Sequence, residues 1–142
     1  MRPPDVGLSY ACYEAGWQTL DQMKGREPTT TGQCDQISID VRSRDEHVAI
    51  AYSGFIRVAK DGIYEFATTS DDGSRLYIHD ELVVENDGLH GMVRQSGSIG
   101  LKAGYHPLRV EWFNASGGRG LQVEYAGPGI EVQAIPAKVL YR

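Results

Sequence analysis

The sequence predicts an all-β fold, an antiparallel β-sandwich or jelly-roll-like barrel, and three observations carry that prediction. Apolar and polar residues alternate with a period of two over many short stretches. Turn residues interrupt these stretches about every eight to twelve positions, and no segment shows the 3.6-residue spacing of an amphipathic helix. The 17 glycines and an even spread of aromatic and β-branched residues suit short strands joined by tight turns. At 142 residues the chain has room for one domain. A domain near this size buries about two-thirds of the surface its unfolded chain exposes. Residues 1–6 are expected to be linker and residues 7–142 the single domain.

The first strand is expected from Leu8 to Glu14. The polar stretch from Gly16 to Cys34 follows, with Gly25, Pro28, Thr29-Thr30-Thr31 and Gly32, and is expected to wrap the sandwich. From Gln36 the alternation of Ile37, Ile39 and Val41 against Ser38, Asp40 and Arg42 reads as extended chain. The stretch His47 to Ala59 reads as a strand with a bulge at Gly54. Lys60-Asp61-Gly62 is expected to form a type I′ hairpin turn. Strands follow at Ile63 to Thr69, Arg75 to Ile78 and Leu82 to Glu85, with turns at His79-Asp80-Glu81 and Asn86-Asp87-Gly88. Three more are expected near Ser98 to Lys102, Tyr105 to Phe113 and Gly120 to Tyr125. Gly127-Pro128-Gly129 breaks the pattern, and Val139 to Tyr141 closes it.

Charge narrows the partners. Fourteen basic against nineteen acidic side chains give a net charge of -5. There is no strong positive field for a phosphate backbone, which argues against nucleic acid. The longest apolar runs, such as Leu82 to Val84, are far too short for membrane insertion. Met1-Arg2-Pro3-Pro4 lacks the apolar stretch of a signal peptide, as would a module cut from a larger exported protein. Cys12 and Cys34 are too few for a Cys-x-x-Cys metal site. They are expected either to form one disulfide, worth roughly 3 kcal/mol in the chain-entropy model, or to remain two buried thiols.

Two loops carry candidate chemistry. In the first, Asp71 and Asp72 are followed at once by Gly73 and Ser74. Adjacent side chains on extended backbone point to opposite faces, so the two carboxylates reach one ion only across a sharp bend or a cis peptide. A hard cation with oxygen ligands would hold such an arrangement; a solvated turn is the other reading. The second loop, Asn114 to Gly120, offers the Asn114 amide oxygen and the unhindered carbonyls around Gly117 and Gly118. These are calcium ligands by type, against the reading of a plain glycine-rich turn.

No catalytic set stands out. Glycoside hydrolysis needs two carboxylates across a cleft, and Glu65, Glu111 and Glu124 look like solvated strand residues. There is no serine elbow or phosphate loop, and His47, His79, His90 and His106 lack zinc spacing. His90, near Asp87 and Gly88, either lines the ligand loop or makes a surface hydrogen bond. Trp112 alternates with Leu108 and Val110 and belongs to the core. Trp17 either stacks on a sugar face or packs beneath the long connection.

The strings GFIRVAKDGIYEFATTSDDGSRLYI, LVVENDGLHG, GSIGLKAGYHPLRVEWF, LQVEYAGPG and IPAKVLY occur in this order. They resemble the protective-antigen-type family, the PA-fourteen domain of bacterial toxins, glycosidases and fungal adhesins. GLSYACYEAGW extends the resemblance back to Gly7. The resemblance implies a β-sandwich of jelly-roll or barrel type. It also implies that Asp71 and Asp72 bind calcium across a cis peptide, that Asn114 completes the site, and that sugar hydroxyls coordinate the same ion. NDGLHG and the GLSY opening are most similar to modules appended to bacterial glycoside hydrolases, including β-N-acetylhexosaminidases and β-glucosidases. The chain departs from the pattern at Ile78-His79-Asp80, where Ile-Asp-Gly is usual, and at both cysteines.

The function so implied is a non-catalytic, calcium-assisted carbohydrate-binding accessory module of a larger exported protein, whether extracellular, periplasmic or on the cell surface. Its partners would be a glycan and an attached catalytic domain. The alternative is a structural or protein-interaction module that binds no sugar. Asp71, Asp72, Asn114, Gly117 and Gly118 are the expected metal set. Asp71, Asp72, Asn114, His90 and Trp17 are the expected carbohydrate set.

Overall fold

The computed structural model describes residues 5–142. Eleven strands follow in chain order: β1 Leu8–Glu14, β2 Thr30–Cys34, β3 Val48–Val58, β4 Gly62–Asp71, β5 Ser74–Ile78, β6 Glu81–Asn86, β7 Val93–Leu101, β8 Gly104–Asn114, β9 Gly120–Gly127, β10 Ile130–Ala134 and β11 Leu140–Tyr141. They form two antiparallel sheets. One runs β2-β1-β3-β8-β5-β6, with β11 sharing the β1 edge of β3; the other runs β10-β9-β4-β7. The all-β sandwich expected from the sequence is the fold observed.

Alternation along the strands fills the space between the sheets. Ile50, Tyr52, Ile56 and Val58 of β3, and Leu108, Val110 and Trp112 of β8, point inward to meet Tyr64 and Phe66 of β4. Burying each large apolar side chain is worth about 1.5–3 kcal/mol, so this layer supplies the main cohesion. A second, smaller cluster lies on the outer face, where Trp17, Leu20 and Met23 pack on Ala49, Ala51 and Phe113. Polar contacts fix that cover: Leu20 N–H donates to the Asp87 carboxylate, and Arg75 reaches Asp21, Glu85 and Asp87.

Several local expectations give way to tertiary demands. The alternating Ile37 to Val41 stretch forms no strand: Ile39–Val41 is a 3₁₀ turn, and the Ser38 hydroxyl accepts from Asp40 N–H at 3.1 Å. A short polar side chain here offers the backbone a partner that competes with a ladder. Gly54 is not a bulge, because β3 and β8 pair without a shift from Val48↔Asn114 to Val58↔Gly104. It is glycine because a Cβ there would strike the Tyr141 carbonyl oxygen and Leu8.

The Lys60 to Gly62 turn is not type I′, since Asp61 lacks positive φ; its carboxylate instead accepts Ala103 N–H at 2.8 Å. The type I′ pattern occurs at His79 (φ 53) and Asp80 (φ 64). Strands β2 and β10 fall in stretches expected to be irregular. Of the six residues expected to be linker, 1–4 lie outside the described residues. Val6 bridges Tyr141, and the Asp5 carbonyl accepts Arg142 N–H.

The disulfide reading is corrected. Both cysteines are free. In the β1–β2 ladder Cys34 faces Leu8, while Cys12 faces Thr30. The two therefore sit four residues apart along the strands, about 13 Å at 3.3 Å per residue, well beyond the roughly 7 Å Cα limit for a bridge. Cys12 Sγ donates to the Val41 carbonyl.

Free-thiol titration of unfolded, unreduced chain is expected to find both cysteines, and one bridge per chain would contradict the register. Gly54→Val should cost about 1–3 kcal/mol of overpacking, read as a lower urea midpoint at unchanged m-value.

Candidate functional site

Three connections that cross between the sheets meet at one end of the sandwich: β4 to β5, β6 to β7, and β8 to β9. Each sheet change forces the backbone out of a ladder, so the polar groups there need other partners. The first crossing is the Asp71-Asp72 pair, joined by a cis peptide. Trp112, buried in the core, donates its Nε1–H to the Asp71 carbonyl at 3.0 Å. Asp72 N–H donates to the Phe113 carbonyl and Phe113 N–H to the Gly73 carbonyl. The Asp72 carboxylate accepts Ala115 N–H at 2.8 Å. Gly73 must lack a side chain, since a Cβ would lie 2.6 Å from Gly88 N and 2.7 Å from the Phe113 ring.

Beneath this turn lies a buried polar cluster. Ser70 and Ser74 hydroxyls meet at 2.6 Å, Ser74 donates to Thr68, and Asn86 Nδ2 reaches Thr68 and the Val93 carbonyl. These bonds tie β4, β5, β6 and β7 together just below the carboxylates.

Asn114 ends β8 between Phe113 and Ala115, each of which hydrogen-bonds Asp72. It is fully buried. Its Nδ2 donates to the Asp45 carbonyl at 2.7 Å, while its Oδ1 has no hydrogen-bond partner. An acceptor buried without a partner costs about 1–3 kcal/mol. The second loop is braced from the segment before β3: Gly117 N–H donates to Glu46, and His47 N–H to the Ala115 carbonyl. A Cβ on Gly118 would come within 3.4 Å of Asp71 Oδ2, so the two loops lie against each other.

The electrostatics are those of an underpaid negative site. Burial first, then the neighbouring Asp72, pushes the Asp71 carboxyl above its ordinary range, while His90 acts in the opposite sense. Burial works against charge on His90. Hydrogen bonds to the Gly91 and Asn86 carbonyls, with the charges of Asp72 and Asp71, outweigh it and raise the imidazole pKa. Both ring nitrogens lie 2.8 Å from carbonyl oxygens, a pattern that only the doubly protonated ring satisfies.

The structure thus gathers Asp71, Asp72, Asn114 and Gly118, with Gly117 on the same loop and His90 on the β6 to β7 crossing. It does not bring Trp17 to them as a stacking surface. That reading is corrected, because Trp17 is 2% exposed, packed beneath the long connection with Arg26 over its ring at 5.2 Å. Sequence reasoning missed Asp45 and Glu46, which position the second loop, and the anchoring role of the Trp112 indole. It also missed the exposed His79–His106 contact at 2.7 Å. None of these has a motif; each depends on strands distant in sequence.

Among the described residues no three His, Cys, Asp or Glu side chains are grouped to share a metal ion. The donors at this corner are two carboxylates, an amide oxygen and loop carbonyls, the mixture that suits a hard cation rather than a soft one.

The fold and this corner define a β-sandwich module whose polar site is built from sheet-crossing loops. The chain belongs to the PA14 domain family, whose model matches residues 6–138. Alpha-agarase of Thalassotalea agarivorans is 40% identical over 129 residues, covering 91% of this chain and 8% of the agarase. Beta-hexosaminidase of Porphyromonas gingivalis (strain ATCC BAA-308 / W83) is 28% identical over 71 residues, covering 49% of this chain and 9% of that protein. The matched segments therefore span less than a tenth of the length of these curated relatives.

Two solved structures share the fold. An anti-sigma factor domain-containing protein superposes with TM-score 0.83 at 21% identity, over 99% of this chain and 49% of that one. A PA14 sugar-binding domain from an RTX adhesin does so with TM-score 0.78 at 17% identity, over 97% and 99%.

The raised Asp71 pKa fixes the sign of a pH effect. In chelator the unfolded chain loses this proton first as pH rises, so stability falls between the ordinary aspartate pKa and the raised folded one. Thermal melts across that window should show the decline, and Asp71→Asn should flatten it.

Proposed function

We propose that this chain is a non-catalytic carbohydrate-binding accessory module of a larger, exported glycan-degrading protein, and that it binds sugar with the help of Ca²⁺ held by Asp71, Asp72 and Asn114. The observation that carries the reading is the Asn114 Oδ1, buried and unpartnered beside two carboxylates that form no ion pair among the described residues. Calcium takes six to eight oxygen ligands. Three side chains, with carbonyls of the Gly117-Gly118 loop, fall short of that number and leave room for ligand hydroxyls. The ion would supply charge neutralisation and a set of open oxygen-binding positions. The chain's own residues do the rest: Trp112 holds the Asp71 backbone and Ala115 the Asp72 carboxylate, the Asp45 carbonyl orients the amide, and His90, its ring nitrogens committed to backbone carbonyls, walls the site.

The relatives support the parent's class. An agarase and a hexosaminidase act on glycans, and this chain corresponds to a small part of each. The adhesin domain of the same fold is described as sugar-binding. That company supports a glycan partner, an attached catalytic domain and an exported parent. Among the described residues no helix is long and apolar enough to cross a membrane.

Calcium should raise the melting temperature and chelation reverse it. A ligand specific to the folded state adds about 2.7 kcal/mol at one hundred times its Kd. Asp71→Asn with Asp72→Asn should abolish the response while circular dichroism stays native. On a glycan panel that includes agarose-derived oligosaccharides, calcium-dependent binding should vanish in the same variant. An unchanged calcium response there would refute the assignment. The chain alone should turn over no chromogenic glycoside; activity lost on mutating one of its carboxylates would refute the non-catalytic reading.

A further inference from the structure

The outer face of the seven-stranded sheet carries a concavity of about 680 Å³ that shares no residue with the corner site. Register explains its shape. Ala11 faces Thr31 on one side and Ala51 on the other, and Ser9 faces Ser53, so the middle of the sheet presents only small side chains outward. The neighbouring row runs Gln33, Ser9, Ser53, Arg109, Tyr77 across five strands. Strands lie about 4.8 Å apart, so this row is roughly 19 Å long. Tyr13 and Arg109 carry the depression into an adjoining hollow of about 270 Å³, whose wall includes Lys24, Arg26, Arg75 and Tyr77 together with the carboxylates Asp21 and Glu111.

Two features point to the occupant. The side chains of Ser9, Ser53, Gln33, Thr31 and Tyr13 make no hydrogen bond to another described residue, so their donors and acceptors face a ligand or water. None of the exposed large apolar side chains lines the trough, whereas the centre of a protein–protein interface is aromatic and apolar. The charge is local and opposite to the molecule's net -5. Arg75 is committed to Asp21, Glu85 and Asp87, and Arg109 to Glu111. Lys24 and Arg26 have no carboxylate within ion-pair distance among the described residues. They leave positive charge at one end of a polar trough.

We propose that this face is a second, metal-independent binding site for an extended oligosaccharide bearing a carboxylate or sulfate, whose hydroxyls meet the serine and glutamine row and whose anionic group meets Lys24 and Arg26. The proposal rests on reading the chain as a glycan-binding module, but it fails separately, because its test excludes calcium.

The 142-residue chain is titrated in chelator with tetragalacturonate, with a sulfated agaro-oligosaccharide, and with a neutral agaro-oligosaccharide of equal length, by calorimetry and amide-shift mapping. At least one acidic probe is expected to bind and to shift Ala11 and Ser53. Its affinity should fall at least tenfold in Ser53→Trp, which fills the floor from an exposed position, and in Lys24→Glu with Arg26→Glu. Asp71→Asn with Asp72→Asn should bind it unchanged. Circular dichroism of each variant checks the fold. No binding of either acidic probe overturns the proposal, as does binding lost in the aspartate variant but kept in Ser53→Trp. A neutral probe that binds equally well overturns the anionic assignment. Amide protection of this face only when the chain is joined to its parent, with no response to sugar, assigns it to a protein instead.

Discussion

The tie between the Asp71 to Gly73 turn and the end of β8 holds the candidate site in place. The chain leaves the four-stranded sheet at Asp71 and enters the seven-stranded sheet at Ser74. At that corner four hydrogen bonds partner backbone and side-chain groups that no ladder serves. Trp112 Nε1, Phe113 N and Ala115 N donate into the turn, and Asp72 N donates out of it. An indole anchored in the core therefore sets where both carboxylates stand. Neutral hydrogen bonds of this kind are worth about 1 kcal/mol each net. Their larger effect is positional, because each fixes one degree of freedom of a loop that packing alone leaves open.

Satisfaction is uneven across the corner. The layer beneath the turn is complete: Thr68, Ser70, Ser74 and Asn86 partner one another in a space that excludes water. The layer above is not, with Asn114 Oδ1 unpartnered and Asp71 pushed toward its protonated form. A fold that closes one polar layer and leaves the next incomplete concentrates its unmet electrostatic demand at one point. That contrast, more than the count of acidic residues, distinguishes this corner from the other loops.

The same sheet architecture produces a different surface on its outer face. There the small residues of β1 and β3 make a depression, and the segment from Leu20 to Arg26 walls the hollow that adjoins it. Arg75 links that wall to the corner through Asp87, whose carboxylate also receives Leu20 N–H. The Arg75 guanidinium holds Asp21 and Glu85 below their ordinary pKa values, through hydrogen bonding first. The exposed members of this network are worth little individually. Together they fix one end of a cover whose other attachment is apolar.

The sequence by itself determined the sheet class, eight of the strands to within one or two residues, only the second half of β7, and the two loops that carry Asp71, Asp72 and Asn114. Period-two alternation and turn chemistry are local, and β1 was legible from Leu8 to Glu14 for that reason. Local pattern failed where a distant partner decides. Ile39 to Val41 alternate like a strand but turn, with the Ser38 hydroxyl accepting Asp40 N–H, and Gly54 looks like a bulge but makes room for β11. Cys12 and Cys34 look like a pair until register separates them, and Trp17 looks exposed until Phe113 and Ala49 cover it. The site shows the same division. Its ligand types were legible because carboxylate and amide chemistry belongs to single residues. Its convergence, the bracing by Asp45 and Glu46, and the missing partner of Asn114 Oδ1 were decided only in three dimensions, because a hydrogen bond left unmade is a property of everything packed around it.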